Sequence, residues 1–380
     1  MYFLIFTKKE CCLWYNRKNI VKQEPIGRGY IMNESIKAVE NLHTEGPRAD
    51  VSAFGAEAAA HAMAFHRSLP AYEPTPLADL KCLSANLGLG RIMVKDESKR
   101  FGLNAFKSLG ASYAVAAYLA QILGLPEGPL SYENMERPEY REQLRGITLV
   151  TATDGNHGRG VAWAAKLFGL FAHVFMPKGG SAERLANIRG LGAEASFTTY
   201  NYDDTVRHAA NLAKEKGWVL VQDTAFEGYT EIPLRIMQGY TTLAQEAAEQ
   251  WDEPPTHIFL QAGVGSLPGA IAGYFAAHYG EKRPVITVVE PNRADCIYRT
   301  AAASDGERHI VTGEISSIMA GLSCGEPNPI AWEILQGYAD HFVSVPEWVA
   351  AKGMRILGNP LDDDPRVVSG ESGAVTTGLV

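Results

Sequence analysis

From residue 92 onward, short apolar runs rich in β-branched residues alternate with longer helical patterns. RIMVKDE reads as a strand, and the alanine-rich segment 107–123 as a helix. GITLVTAT leads into GNHGRGVAWAAKLFG, FAHVFMP into SAERLANIRGLG, and EASFTTY into YDDTVRHAANLAKEKG. WVLVQDT ends a further strand, THIFLQAG precedes PGAIAGYFAAHYG, and PVITVVEP follows. Strands interleaved with helices of about 10–15 residues predict parallel sheets in an α/β architecture. No internal repeat or low-complexity linker interrupts the alternation, and the polar, proline-bearing run 125–147 reads as a surface insertion.

The N-terminus departs from this pattern. MYFLIFTKKECCLWYNRKNIVKQEP opens on an apolar run but lacks the basic n-region, the longer h-region and the cleavage site of a signal peptide. The run is far too short to span a membrane. Met32 begins a stretch that reads like an ordinary start, so residues 1–31 are expected to be an extension without a role in the fold.

Composition narrows the function classes. The 380 residues suffice for one large or two medium domains, and 46% hydrophobic with 21% charged residues is ordinary for a globular chain. A net charge of −8 without a basic stripe argues against nucleic acid and anionic membrane as partners. Five cysteines (Cys11, Cys12, Cys82, Cys296, Cys324) show neither metal-ligand spacing nor a secreted disulfide framework. That usage favours a cytoplasmic setting, no metal site, and thiols at Cys296 and Cys324.

In open α/β sheets, sites form at the carboxyl ends of strands. At one such end, TATDGNHGRG (151–160) offers a polar turn followed by a helix start. Gly155 and Gly158 allow close backbone approach, and Asn156 can hydrogen-bond a ligand. Asp154 or Asn156 as an ordinary helix cap fits the same residues. At another end, QAGVGSLPGAI (261–271) feeds a glycine-rich turn into a helix N-terminus, where free N–H groups and the dipole favour an anion such as phosphate. A dinucleotide fingerprint competes, with Glu290 at the next strand end, but its third glycine would fall on Pro268.

Lys107, in FGLNAFKSLGASYA, lies between apolar neighbours at the start of a helix. The helix dipole and the apolar surroundings both favour the neutral amine, the form that attacks an aldehyde. Such a lysine, a polar asparagine turn and a phosphate cradle are the parts needed to hold pyridoxal phosphate.

From YEPTPLADL (72–80) to the C-terminus, the chain resembles the fold-type II pyridoxal-phosphate family of serine and threonine dehydratases, tryptophan synthase β and their relatives. The resemblance is carried by KDESKRFGLNAFK, TDGNHGRGVAWAAK, NYDDTVR, VQDTAFEGYTEIP, QAGVGSLPGA, VEPNRADCIYR, IMAGLSCGEPNPIAWEIL and SGESGAV. FGLNAFK and DTAFEGY are similar to the branch that eliminates ammonia from 2,3-diaminopropionate. The resemblance implies an α/β fold of two open, twisted, mostly parallel sheets flanked by helices. A large cofactor domain would take 32–107 and 218–380, and a small mobile domain 108–217. It implies Lys107 as the Schiff-base lysine and Asn156 facing the phenolic oxygen of pyridoxal 5'-phosphate. Gly263, Val264, Gly265, Ser266 and Leu267 would bind the phosphate through backbone N–H groups. A small amino-acid substrate and a homodimer are implied as well.

The activity implied is α,β-elimination of 2,3-diaminopropionate, D and L, to pyruvate and two ammonia. Two enantiomers place the α-proton on opposite faces of a planar system, so two bases are expected: Lys107 for the L-isomer and Asp154 for the other. Asp223 is expected to bind or protonate the β-amino group, which leaves only as the ammonium form. His157, Glu290 and Tyr229 are further candidates for the pocket wall. A serine or threonine dehydratase of the same fold, and an inert truncated cofactor-binding or subunit-interaction protein, are the alternatives. GESGAVTTGLV is expected to stop inside a helix, leaving the fold C-terminally incomplete and without the pyridine-nitrogen partner found in family members.

Overall fold

The computed structural model describes residues 35–41, 48–125, 130–153, 155–313 and 315–380, together with the backbone of 4–7. The strands among them are β1 (Leu4–Thr7), β2 (Lys37–Glu40), β3 (Leu77–Asp79), β4 (Arg91–Lys95), β5 (Thr148–Ala152), β6 (Phe171–Met176), β7 (Glu194–Phe197), β8 (Val219–Leu220), β9 (His257–Gln261), β10 (Val285–Pro291) and β11 (His341–Val345). They form two sheets, a seven-stranded one in the order β2-β11-β10-β9-β1-β4-β3 and a four-stranded one in the order β7-β6-β5-β8.

The four-stranded sheet is parallel throughout, with Thr148 paired to Phe171, His173 to Glu194 and Leu149 to Val219. In the seven-stranded sheet the parallel character sits in β9, β10 and β11, whereas β1, β2, β3 and β4 add antiparallel pairings. β5, β10 and β11 are buried along nearly their whole length, as expected where helices cover both faces. The four-stranded sheet reaches Val219–Leu220, just beyond the expected small-domain limit at 217.

Two local outcomes differ from the sequence-based expectations. Leu4–Thr7 lies between β4 and β9 and pairs with both, so this part of 1–31 does enter the fold. A short apolar run can supply backbone donors and acceptors to a sheet whatever its origin. The remainder of 1–31 lies outside the described residues. In the expected surface insertion, Met135 and Leu144 are buried in the main core, so its short helices Tyr132–Met135 and Pro138–Gln143 are anchored rather than merely exposed.

The helix Lys107–Ile122 runs through the middle of the molecule, packed on Glu231–Gln250 and on Asn156–Phe168. Glycines set how closely these helices approach. A Cβ on Gly110 would lie 2.5 Å from the Tyr240 ring, and one on Gly239 would lie 2.7 Å from the Leu109 carbonyl oxygen. A Cβ on Gly160 would meet the Lys107 carbonyl at 3.0 Å. The first turn of the central helix is therefore clamped by backbone contact.

The loop before that helix is fixed by a buried ionic network. Arg100 donates to both Glu97 oxygens (Nε 2.9 Å, Nη2 2.8 Å) and to both Glu246 oxygens (Nη1 2.7 Å, Nη2 2.8 Å). Lys95 Nζ bonds Glu246 at 2.8 Å, the Thr75 carbonyl at 2.7 Å and Gln250 at 2.9 Å. Burial pushes the Glu246 carboxyl up, but the Arg100 hydrogen bonds and the Arg100 and Lys95 charges outweigh it and leave the group at about 2. Just beyond, Phe101 (φ 48°), Gly102 (φ 68°) and Asn104 (φ 55°) turn the chain through the left-handed region. Phe101 bears that conformation while stacked on Trp163, with centroids 4.7 Å apart.

Candidate active site

Lys107, the first residue of its helix, meets Asp223, just beyond β8, across a cleft. Its Nζ is in direct contact with the Asp223 carboxylate, a partner that the expectation of a neutral amine did not include. The expectation weighed helix dipole and burial but had no means of placing a carboxylate there, and an opposite charge at contact favours the charged form. Asp223 is buried, with 2% of its surface exposed. Burial pushes its carboxyl up, yet His157 and Lys107 overcome that and hold it at about 2.

His157 completes the group. Its Nε2 lies 2.8 Å from the Val221 carbonyl oxygen, which can only accept, so this nitrogen carries the proton. Its Nδ1 is buried without a hydrogen-bond partner, 3.8 Å from Asp223 Oδ2, too long for a bond. Burial lowers its pKa, outweighing the Asp223 charge.

Gly263 to Leu267 form the turn on one wall of the same cleft, with Gly265 at φ 98° capping the helix Ser266–Tyr279. Glycine is needed at 265, because a Cβ would lie 2.9 Å from Ile297 and the positive φ disfavours any side chain. The turn is tied to the acidic residue. Ser266 Oγ donates to the Asp223 carbonyl at 2.5 Å, and Asn328 bonds both Ser266 Oγ (2.8 Å) and the Val264 carbonyl (2.8 Å). Anion cradle and ion pair are thus one rigid unit. Gly321, Leu322 and Cys324 also line the cleft and pack against Gly263, where a Cβ would lie 3.2 Å from Cys324 Sγ.

The other sequence candidates fare differently. Asp154 lies outside the described residues. Asn156, first in the helix Asn156–Phe168, is exposed and is not in the cleft lining, where His157 stands instead. The Tyr229 hydroxyl is engaged by the Leu220 carbonyl and the Gln222 N–H, both at 2.8 Å, and shapes the loop beneath the site. Glu290 accepts from the Ile297 (3.0 Å) and Tyr298 (2.6 Å) N–H groups, and burial pushes its carboxyl up to about 8. Cys296 and Cys324 are thiols. Among the described residues no cluster could hold a metal ion, and no helix is long and apolar enough to cross a membrane.

Sequence reasoning missed Gln261, a polar residue closing an otherwise apolar strand directly before the glycine turn. The abrupt change from IFL to a polar residue was the available signal. An adjoining cavity of about 640 Å³ shares Tyr202 and Val264 with the cleft. Asp203 borders it, pushed up to about 6 by burial and then by Glu326, while Arg207 pairs with Glu326.

A primary amine facing a glycine turn at a helix N-terminus, with unpartnered buried polar atoms nearby, is a donor set that suits a phosphorylated aldehyde. The family model for "Pyridoxal-phosphate dependent enzyme" matches residues 68–379. The chain belongs to this family. Diaminopropionate ammonia-lyase of Salmonella typhimurium is 51% identical over 356 residues, which is 92% of this chain and 88% of that protein. The Escherichia coli (strain K12) diaminopropionate ammonia-lyase is 51% identical over 319 residues, 83% of this chain and 79% of its own length. A crystal structure of the Escherichia coli enzyme "in complex with aminoacrylate-PLP azomethine reaction intermediate" superposes with a TM-score of 0.82 at 47% identity, covering 91% of this chain and 86% of that one. The cofactor named by the family is one that Lys107 and the turn 263–267 fit by their chemistry.

Proposed function

We propose that the chain is a lyase that removes ammonia from 2,3-diaminopropionate, in both D and L forms, leaving pyruvate and two ammonia. The observation that carries this reading is the ionised Lys107–Asp223 pair beside the 263–267 turn, in a chain half identical to diaminopropionate ammonia-lyases along most of its length.

Lys107 Nζ would hold the cofactor through its aldehyde, and Gly263, Val264, Gly265, Ser266 and Leu267 would hold its phosphate. When bound, the cofactor supplies an electron sink for charge developing at the substrate's α-carbon. Lys107 Nζ also moves the α-proton on one face, the L-isomer's, and Asp154 serves the other. Asp223, held at about 2, is a carboxylate at neutral pH and a poor acid, which supports binding the β-amine as ammonium over donating a proton to it. An ammonium leaves far more readily than a free amine, so holding that form is the chemical contribution. Expulsion of hydroxyl from serine needs no such counter-charge, and this separates the reading from a dehydratase. Asn156 remains the proposed partner of the phenolic oxygen, supported by its place as the first residue of the helix that carries His157.

Incubation with D- and L-2,3-diaminopropionate and with serine, scoring pyruvate and ammonia, tests the proposal. Two ammonia per pyruvate from both diaminopropionate isomers is expected; preferential turnover of serine would overturn it. A homodimer and a cytoplasmic setting belong to the same reading, supported by the family resemblance and by the cysteine usage, and light scattering tests the first.

A further inference from the structure

The cavity of about 640 Å³ lies beside the cleft, and the two share Tyr202 and Val264 in their walls. Thr224 to Glu227, which follow directly on Asp223, line another side. The lining carries four carboxylates (Asp203, Glu227, Glu307, Glu326) against two guanidiniums (Arg207, Arg308), a balance that gathers cations. Asp203 is half-buried in the first turn of the helix Tyr202–Lys216, and it makes no hydrogen bond or ion pair with any described residue. Arg207, one turn further on, is already occupied, since it donates to Asp204 at 2.9 Å and pairs with Glu326. Burial and then Glu326 push the Asp203 carboxyl up to about 6, which leaves it ionised at neutral pH with its charge uncompensated. A half-buried carboxylate without a counter-ion, on the wall of a cavity, is open to a cation that enters.

We propose that this cavity is the vestibule of the active site and that Asp203 selects the diamine substrate there by attracting its β-ammonium. The inference deepens the reading of the chain as a diaminopropionate lyase and rests on it. With both amines protonated, diaminopropionate carries one positive charge more than serine, whereas the α-ammonium and the carboxylate are common to both. An uncompensated carboxylate distinguishes the two by that one charge, before either meets Asp223. Arg308 cannot do so, because the carboxylate that it would attract is shared. Tyr202 stands at the boundary of the two spaces, its hydroxyl held at 3.1 Å by the amide of Gln222, the residue before Asp223. Asp203 on the outer side and Asp223 on the inner side thus offer the same kind of partner to the same ammonium in succession.

The test compares the cofactor-loaded wild type with Asp203→Asn and Asp203→Glu. It scores kcat and KM for diaminopropionate and the inhibition constant of serine as a competitor, with thermal unfolding as the folding control. Asp203→Asn is expected to raise KM about fivefold while kcat holds, the size of a screened ion pair, and to leave the serine constant in place. Asp203→Glu, which keeps the charge, is expected to keep the wild-type KM. Should the variants fail to fold, the wild type alone decides. Sodium chloride at about 1 M, where charges are screened beyond about 3 Å, should raise KM for diaminopropionate several-fold and spare the serine constant. An unchanged KM in Asp203→Asn, an equal rise for both ligands, or a wild-type KM indifferent to salt overturns the role of Asp203. A wild type that turns over no diaminopropionate overturns the underlying reading as well, so the two failures are told apart.

Discussion

Two lysine–carboxylate pairs lie close together in the chain and do opposite things. Lys95 and Glu246 are both fully buried, and every oxygen of Glu246 and Glu97 is matched by Arg100, Lys95 or Thr75. Lys107 and Asp223 face a cleft, with 18% of the lysine side chain exposed and two unpartnered polar groups, His157 Nδ1 and Gln261, nearby. The first network is saturated and can only hold structure. The second leaves bonding capacity for something that enters. Satisfaction, rather than charge or burial alone, separates scaffold from site.

The largest effect that can test the contrast is on the cleft side. Lys107→Ala is expected to lower turnover by at least about 10³-fold with little change in Tm, since it removes the amine that holds the cofactor and moves a proton. A comparable loss of Tm would make Lys107 structural instead. Arg100→Met should behave in the reverse way. It strands Glu97 and Glu246 in the core, and urea denaturation should report a loss of roughly 3–5 kcal/mol while the folded fraction keeps its turnover number. Asp223→Asn is expected to cost about 10²-fold on diaminopropionate with a much smaller change in any residual serine turnover. Equal losses on both substrates would remove its role as counter-ion to the β-ammonium. Asp154→Asn should suppress turnover of the D-isomer and spare the L-isomer; the opposite result would exchange the two faces.

The smallest effect is a dependence on pH. Glu246, lowered from its ordinary 4.5 to about 2, stabilises the fold above pH 4.5, and that contribution is lost as pH falls toward 2. Glu290, raised from 4.5 to about 8, has the other sign. Between these values the folded state holds a proton that the unfolded chain has released, so stability declines as pH rises from 4.5 to 8. Glu290→Gln should flatten that decline in urea midpoints measured across the window; an unchanged slope would assign it to another group.

Much of this was legible in the chain. The alternation of β-rich runs with helical patterns located β4 to β10, because buried strands and their crossover helices leave strong local signals. That Lys107 opens a helix and that the turn 263–267 feeds one were legible for the same reason, each announced by residues immediately around it. What failed to show was whatever depends on distant residues. Asp223 lies 116 positions from Lys107, so the contact between them had no local sign. Short antiparallel strands such as Leu77–Asp79 and Lys37–Glu40 carry too few residues to show a period, and so did Leu4–Thr7. Gln261 stood in plain sight but gains meaning only once its amide is seen to be unpartnered.

One measurement tests the central claim most directly: borohydride reduction of the protein loaded with pyridoxal phosphate, followed by peptide mass mapping. The account predicts a stable pyridoxyl adduct on Lys107 and none on the saturated Lys95. An adduct on another lysine, or none at all, would contradict it.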